Sequence, residues 1–300
     1  MRKKNLKQVF KGISGEVRWN EPLSRHTTLK IGGPAEALYF PRSREALGDV
    51  LRRARRFRIP VFVLGGSNIL VRDGGVRGIV LKLNGFQKLT SGENRVQAGG
   101  GVLLSRLSRY AFNQGLGGAE FAQGIPGTVG GAVTMNAGTR EGDMAGILAS
   151  VQIIDPGGSI QTLQRGEIQF GYRWSRLPKG VVIEAEFKLR PRNRAEIRRK
   201  METFMVHRKK TQPLAWPNAG SVFKNPEGGY AANLIERLHL KGARVGEAQV
   251  SDQHANFIVN RGGATAKDVL GLIRTIGRKV EDRTGITLEL ELRVVGHDAA

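Results

Sequence analysis

The segment ITLELELRVV, residues 286–295, alternates apolar and polar positions. A strand there would set Ile286, Leu288, Leu290, Leu292 and Val294 on one face and Glu289, Glu291 and Arg293 on the other. SREALGDVLRRARRF, residues 43–57, repeats at helical spacing instead: Ala46, Leu47, Val50, Leu51, Ala54 and Phe57 share one arc, Arg52, Arg55 and Arg56 oppose them, and Ser43 stands at the N-cap position. The same pattern predicts a helix over 102–115 with Leu103, Leu107 and Ala111 facing inward, and a charge-dense helix within 190–210. A fourth helix is predicted over 265–285, where Thr265 and Asp268 form a capping pattern, Val269, Leu272, Ile273, Ile276 and Val280 form a core stripe, and Gly285 terminates. Further strands are expected at 35–40, at 60–64 as a buried strand entering a glycine turn, and at 78–83, 95–99, 150–155, 159–163 and 180–190; Asp155 to Gly158 supply a turn.

The strand–helix–strand opening reads as α/β, the stretch from about residue 92 as a second, α+β unit, and the 190–210 helix as a connector to a third. The expected divisions are a basic lead (1–20), a first subdomain (21–90), a second (91–192) and a C-terminal domain (193–300).

Glycine changes the picture next. The chain has 41 glycines among its 300 residues, gathered in short blocks without a collagen period. LGGSN (Gly65, Gly66, Ser67, Asn68) and GIPGTVGGA (Gly124, Ile125, Pro126, Gly127, Thr128, Gly130, Gly131) combine glycine with small polar residues, a composition that offers backbone N–H groups to a phosphate. Neither is a Walker loop or a GxGxxG fingerprint. Tight turns are the plain alternative, and two such loops after apolar segments point to one shared diphosphate ligand.

FGYRWSRL places Arg173 between Tyr172 and Trp174, where a guanidinium could be held toward a carboxylate or phosphate, or simply stack on an aromatic neighbour. NAGSVFKNP puts Ser221 in a context that is not the G-x-S-x-G elbow, and none of the histidines at 26, 207, 239, 254 and 297 is an evident partner in sequence. A serine nucleophile is disfavoured; a serine proton donor or ligand remains.

Lys and Arg number 48 against 26 Asp and Glu, a net charge of +22 that would attract any polyanion. There is no cysteine, which excludes disulfides, thiolate metal sites and cysteine nucleophiles. No run approaches the ~18 apolar residues of a membrane span, and the basic start lacks an apolar signal region. A soluble, cytoplasmic protein with no metal site is expected.

Seven ordered motifs, HTTLKIGGPAE (26–36), LGGSNILV (64–71), GIPGTVGGAVTMNAG (124–138), FGYRWS (170–175), NAGSVFKNP (218–226), VSDQHANFIVN (250–260) and GITLELELRVVG (285–296), closely resemble the UDP-N-acetylenolpyruvoylglucosamine reductase family from about Asn20 to Gly296. The resemblance implies an α+β protein: a two-subdomain FAD-binding domain of the vanillyl-alcohol-oxidase type followed by a C-terminal α/β substrate-binding domain. It implies that the two glycine loops hold non-covalent FAD, that NADPH is the co-substrate, and that the enolpyruvyl ether of UDP-N-acetylglucosamine is reduced to UDP-N-acetylmuramate for peptidoglycan. Hydride would pass from flavin N5 to the methylene carbon and a proton from Ser221 to the carbon beside the carboxylate.

The family's catalytic arginine, serine and glutamate fall on Arg173, Ser221 and Glu289, the last chosen over Glu291 from the family's Gly-x-x-Leu-Glu-x-Glu order. Tyr172, Arg208, Lys224, Asn225 and His254 would line the nucleotide-sugar site. Only about 35 residues separate Arg173 from Arg208, filled by a strand and a helix, so the chain resembles a shorter subtype without the substrate-closing tyrosine loop. A monomer with no specific nucleic-acid partner and no membrane insertion is expected. The alternatives are another FAD oxidase of the same fold, or a basic nucleic-acid-binding protein motivated by the charge.

Overall fold

A computed structural model describes residues 2–299, with side chains from Lys4 onward. The chain forms two compact units and passes between them after Trp19, Glu36, Gly65, Arg77 and Val206. The first comprises Met1–Trp19, Ala37–Gly65 and Gly78–Val206; the second comprises Asn20–Glu36, Gly66–Arg77 and His207–Ala300. The stretch expected as a first subdomain therefore contributes to both, and the basic lead to the first up to Trp19.

The first unit has two cores. One forms where the helix Arg44–Arg56 buries Leu47, Val50, Leu51 and Ala54 against Ala37, Tyr39, Ile79 and Leu81. Ser43 caps this helix as expected, accepting a hydrogen bond from Ala46 N at 3.2 Å. The strand Val61–Val63 pairs in parallel with Val76–Leu81, but Val63 is exposed, so the strand expected to be buried is half-covered. The lead itself holds the helix Arg2–Val9, whose Leu6 and Val9 enter the same core. Arg53 Nη1 donates to the carbonyls of Val9 and Lys11 just past that helix.

The other core lies under a five-stranded antiparallel sheet in the order Ile160–Gln164, Leu148–Ile154, Val181–Lys188, Arg95–Gly99, Leu89–Gly92. Against it packs the helix Leu104–Asn113 through Leu104, Leu107 and Ala111. Leu103, expected on that inner face, is instead the exposed residue preceding the helix, and Leu104 takes its place. The inward arc follows once the start is known, because Leu104, Leu107 and Ala111 are three and four apart.

The second unit is an antiparallel sheet ordered Asn218–Ser221, Phe257–Asn260, Ala248–Val250, Arg244–Val245, with the helices Ala231–Arg237 and Ala266–Thr284 sharing its core. The longer helix has both halves of the predicted capping box, Thr265 and Asp268, and ends at Gly285 in the left-handed region at φ +70°. Asp73 strengthens its start by accepting from Ala266 N and Lys267 N at 2.8 and 3.0 Å.

The strand predicted over 286–295 is regular only at Arg293–Val295, which pairs in parallel with Ile69–Val71. Upstream the backbone attaches point by point to residues 222–224: Lys224 N donates to Glu289 O at 2.8 Å and Glu291 N to Val222 O at 2.9 Å. The facing stretch offers too few aligned groups for a continuous ladder. The apolar side of the alternation is nevertheless used, since Leu288, Leu290, Leu292 and Val294 join the core, whereas Ile286 does not.

Candidate active site

Ser221 ends the strand Asn218–Ser221, opposite Phe257. The register slips between Asn218 and Ser221, and Gly220 within the slip has φ +79°. That is a bulge, which re-aims the following side chain. Asn218 stabilises it by accepting from Gly220 N at 3.1 Å. Beyond the bulge the ladder partner is a side chain: Asn256 Oδ1 accepts from Phe223 N at 2.9 Å while its Nδ2 donates to Phe223 O at 2.8 Å. Asn256 O also accepts from Val222 N at 2.9 Å. The Ser221 hydroxyl has no hydrogen-bond partner among the described residues, so no histidine activates it.

The other predicted residues of this unit divide by what they touch. Lys224 Nζ pairs with Glu289 Oε1 at 2.5 Å, and the Glu289 side chain is 73% exposed. Glu291 is half-buried, with its backbone held from two sides: its N–H on Val222 O, and its carbonyl accepting from Asn68 Nδ2 at 3.0 Å. Asn225, expected at the nucleotide sugar, spends its Oδ1 on Ala231 N at the start of a helix. Arg208 is held by Gln212 at 2.7 Å, and burial lowers its pKa from the ordinary value.

Burial likewise lowers the pKa of His254, mainly by desolvation. Its ring packs on Phe257, and its Nδ1 accepts from Asn256 N at 3.2 Å, so the neutral ring carries its proton on Nε2.

Thr28 was missed by the sequence reading. Its hydroxyl lies 2.7 Å from Asn218 O and 3.2 Å from Ser67 O, and its N–H donates to Gly66 O at 2.8 Å. It thereby stitches residues 66–67 of the first glycine loop to the base of the Ser221 strand.

Arg173 belongs to the first unit. The strands Gln169–Gly171 and Trp174–Arg176 form a hairpin whose two-residue turn is Tyr172–Arg173, with Arg173 itself at φ +64°. The guanidinium lies over the Tyr172 ring, 5.0 Å from its centroid. Both aromatic side chains are exposed. Asn136, 5% exposed, anchors the hairpin: its Nδ2 contacts Gly171 O and Asp143 Oδ2, each at 3.1 Å, and its Oδ1 accepts from Ala145 N at 3.0 Å. Ser175 Oγ adds a bond to Thr134 O at 2.8 Å. Between Arg173 and Arg208 lie three short or long strands and the helix Arg194–Thr211, more than the one strand expected.

The glycine loops meet within this unit. A Cβ on Gly65 would lie 3.9 Å from both Gly131 Cα and Thr128 Oγ1, so two bare backbones face each other across a space that a side chain would fill. The N–H groups of Gly65, Gly127 and Thr128 have no partner among the described residues, and neither has the buried Gln123 Oε1. Unpaired donors around a glycine cradle fit the anionic diphosphate of a dinucleotide such as FAD. Gly130 does a different job: its N–H bonds Gly100 O, and a Cβ there would stand 3.1 Å from the carbonyls of Gly100 and Val182.

Two family models match successive parts of the chain. Residues 35–164 match the family model described as "FAD binding domain", and residues 212–295 match the C-terminal domain model of UDP-N-acetylenolpyruvoylglucosamine reductase. Fold and site thus define a flavin-dependent oxidoreductase. The chain is 49% identical over 288 residues to UDP-N-acetylenolpyruvoylglucosamine reductase 2 of Symbiobacterium thermophilum, covering 95% of this chain and 94% of that one. It is 48% identical over 287 residues to the reductase of Moorella thermoacetica, covering 95% of each. The crystal structure of the Thermus caldophilus reductase superposes with a TM-score of 0.81 at 41% identity, covering 95% of this chain and all of that one. The chain belongs to the UDP-N-acetylenolpyruvoylglucosamine reductase family.

Proposed function

We propose that the chain reduces the enolpyruvyl ether of UDP-N-acetylglucosamine to UDP-N-acetylmuramate, with Ser221 as the proton donor. FAD, when bound, would supply two-electron hydride chemistry between NADPH and the enol ether. Gly65, Gly127, Thr128 and Gly131 would hold its diphosphate. The observation that carries the reading is a serine presented by a bulge and clamped in place, yet without any base.

Hydride addition to the methylene carbon leaves negative charge on the carbon next to the substrate carboxylate. Donors aimed at that carboxylate therefore stabilise the transition state more than the ground state. Arg173 offers a planar, permanently charged fork for this, raised on a hairpin turn and steadied by Tyr172. The carbon must then take a proton, and an enolate-like acceptor is basic enough to take it from a hydroxyl. Ser221 needs placement rather than activation. Glu291 suits the acidic role better than Glu289: Glu289 is largely exposed and paired with Lys224, while Glu291 is half-buried and its backbone N–H bonds Val222, the residue after Ser221. Lys224, Arg208, His254 and Tyr172 serve the nucleotide sugar. The protein works as a cytoplasmic monomer, without nucleic acid or membrane insertion.

The test separates the two half-reactions by stopped flow. Ser221→Ala should leave bleaching of the flavin absorbance by NADPH nearly intact and slow its return on substrate by about 10²–10⁴-fold, the range of general acid catalysis. Equal losses in both halves would reject the proton-donor role. In parallel, Glu291→Gln should slow the return far more than Glu289→Gln; the reverse order would restore Glu289.

A further inference from the structure

The strand carrying Ser221 is an incomplete ladder. Pairing with Phe257–Asn260 reaches Ser221 and goes no further, and one residue earlier the glycine bulge interrupts it. A short side chain at the end of a short, interrupted strand is placed only as well as the backbone on either side of it. On the upstream side that backbone is fixed by Asn218 and Thr28. On the downstream side Val222 and Lys224 bond the backbone of residues 289–292, and Phe223 between them is held by the side chain of Asn256.

A primary amide holds one acceptor and one donor about as far apart as a peptide unit does, so it can stand in for a missing strand residue. Asn256 does this for Phe223, accepting its N–H and donating to its carbonyl, while its own carbonyl takes Val222 N–H. At 3% exposure the amide has no competing solvent.

The geometry points to Asn256 as a positioning residue for proton transfer: its side-chain amide fixes both polar groups of the Phe223 backbone, two residues past Ser221, and so steadies the position of the Ser221 hydroxyl. This rests on the reading of Ser221 as proton donor. Displacing a reacting group by about 1 Å can cost on the order of 100-fold in rate.

Loss of any buried amide also destabilises, so the control is Asn260, which lies on the same strand at 6% exposure. Its side chain bonds Gly262 N, Gly263 N, Ala264 N and Leu29 O, none of which adjoins Ser221.

The holoenzyme variants Asn256→Ala and Asn260→Ala are compared by stopped flow and by thermal melting. Asn256→Ala should bleach with NADPH within about twofold of the parent, bind substrate within about threefold, and recover its flavin absorbance on substrate about 30–100-fold more slowly. Asn260→Ala should melt earlier with an unchanged recovery rate. Normal recovery in Asn256→Ala, or equal slowing in both variants, overturns the proposal. Should Asn256→Ala fail to fold, Asn256→Asp keeps an acceptor for Phe223 N but loses the donor, and slowed recovery with normal bleaching is required of it. Adding Asn256→Ala to Ser221→Ala should slow recovery no further, because the positioned group is gone. A fast Ser221→Ala enzyme would sink the proton-donor reading itself, whereas a slow Ser221→Ala beside a fast Asn256→Ala would sink this inference alone.

Discussion

The two units present the side chains proposed for catalysis by opposite means. In the first, Arg173 occupies the strained turn position itself, at φ +64°, and projects a long side chain whose head rests on Tyr172. In the second, the strain is passed to Gly220, at φ +79°, and Ser221 stays in regular strand geometry with a side chain one atom beyond Cβ. A long side chain can absorb an error in its backbone by changing rotamer. A serine cannot, so accuracy has to be built into the main chain around it, and the second unit spends Thr28, Asn218 and Asn256 on that purpose.

The largest expected effect tests the long arm. Removing the guanidinium in Arg173→Ala should raise the barrier of the substrate half-reaction by about 3 kcal/mol, as losing one preorganised oxyanion donor does. Single-turnover rates would show this, and near-normal turnover would take Arg173 out of the chemistry.

A smaller effect sharpens the contrast directly. A methyl on Gly220 meets no atom within 4 Å, so Gly220→Ala is penalised by its left-handed φ alone. It should nonetheless slow substrate-driven flavin recovery by about tenfold or more, because the serine moves with the backbone. Loosening the hairpin of the first unit by Asn136→Ala should slow it only a few-fold, although that change removes three hydrogen bonds. If the two variants lose equal rate, side-chain length is not what separates the units.

How much of this was legible in the sequence follows from the separation of the parts. The helix Ala266–Thr284 was readable from its cap to its terminating glycine because Thr265, Asp268 and Gly285 act through the nearest turn. The start of Leu104–Asn113 slipped by one residue because adjacent leucines give the same composition in either phase. Ser221 could be found by motif, but its setting could not: Asn256 clamps Phe223 through its side chain, and Glu291, the proposed acid, reaches Val222 through its backbone N–H, both from parts of the chain distant in sequence. Alternation alone cannot rank Glu289 against Glu291, since they share a face; Lys224 separates them. One signal was available, an asparagine opening the apolar run FIV, which a buried strand tolerates only when its amide is satisfied.

The smallest effect concerns what holds the clamp itself. His254 Nδ1 must be unprotonated to accept from Asn256 N, and desolvation lowers the folded-state pKa below the ordinary 6.5. The unfolded chain therefore takes up this proton first as pH falls, so the stability contribution is complete above about 6.5 and declines as pH drops from there through the folded value. Urea midpoints measured from pH 7.5 down to 5 should fall with acidification, and His254→Phe should flatten the part of that slope below 6.5. Because the lost acceptor serves Asn256, substrate-driven recovery should weaken only as pH falls through the lowered folded-state value, below 6.5, while NADPH bleaching does not. A parallel decline of both half-reactions would place the titrating group elsewhere and leave the serine strand without a link to pH.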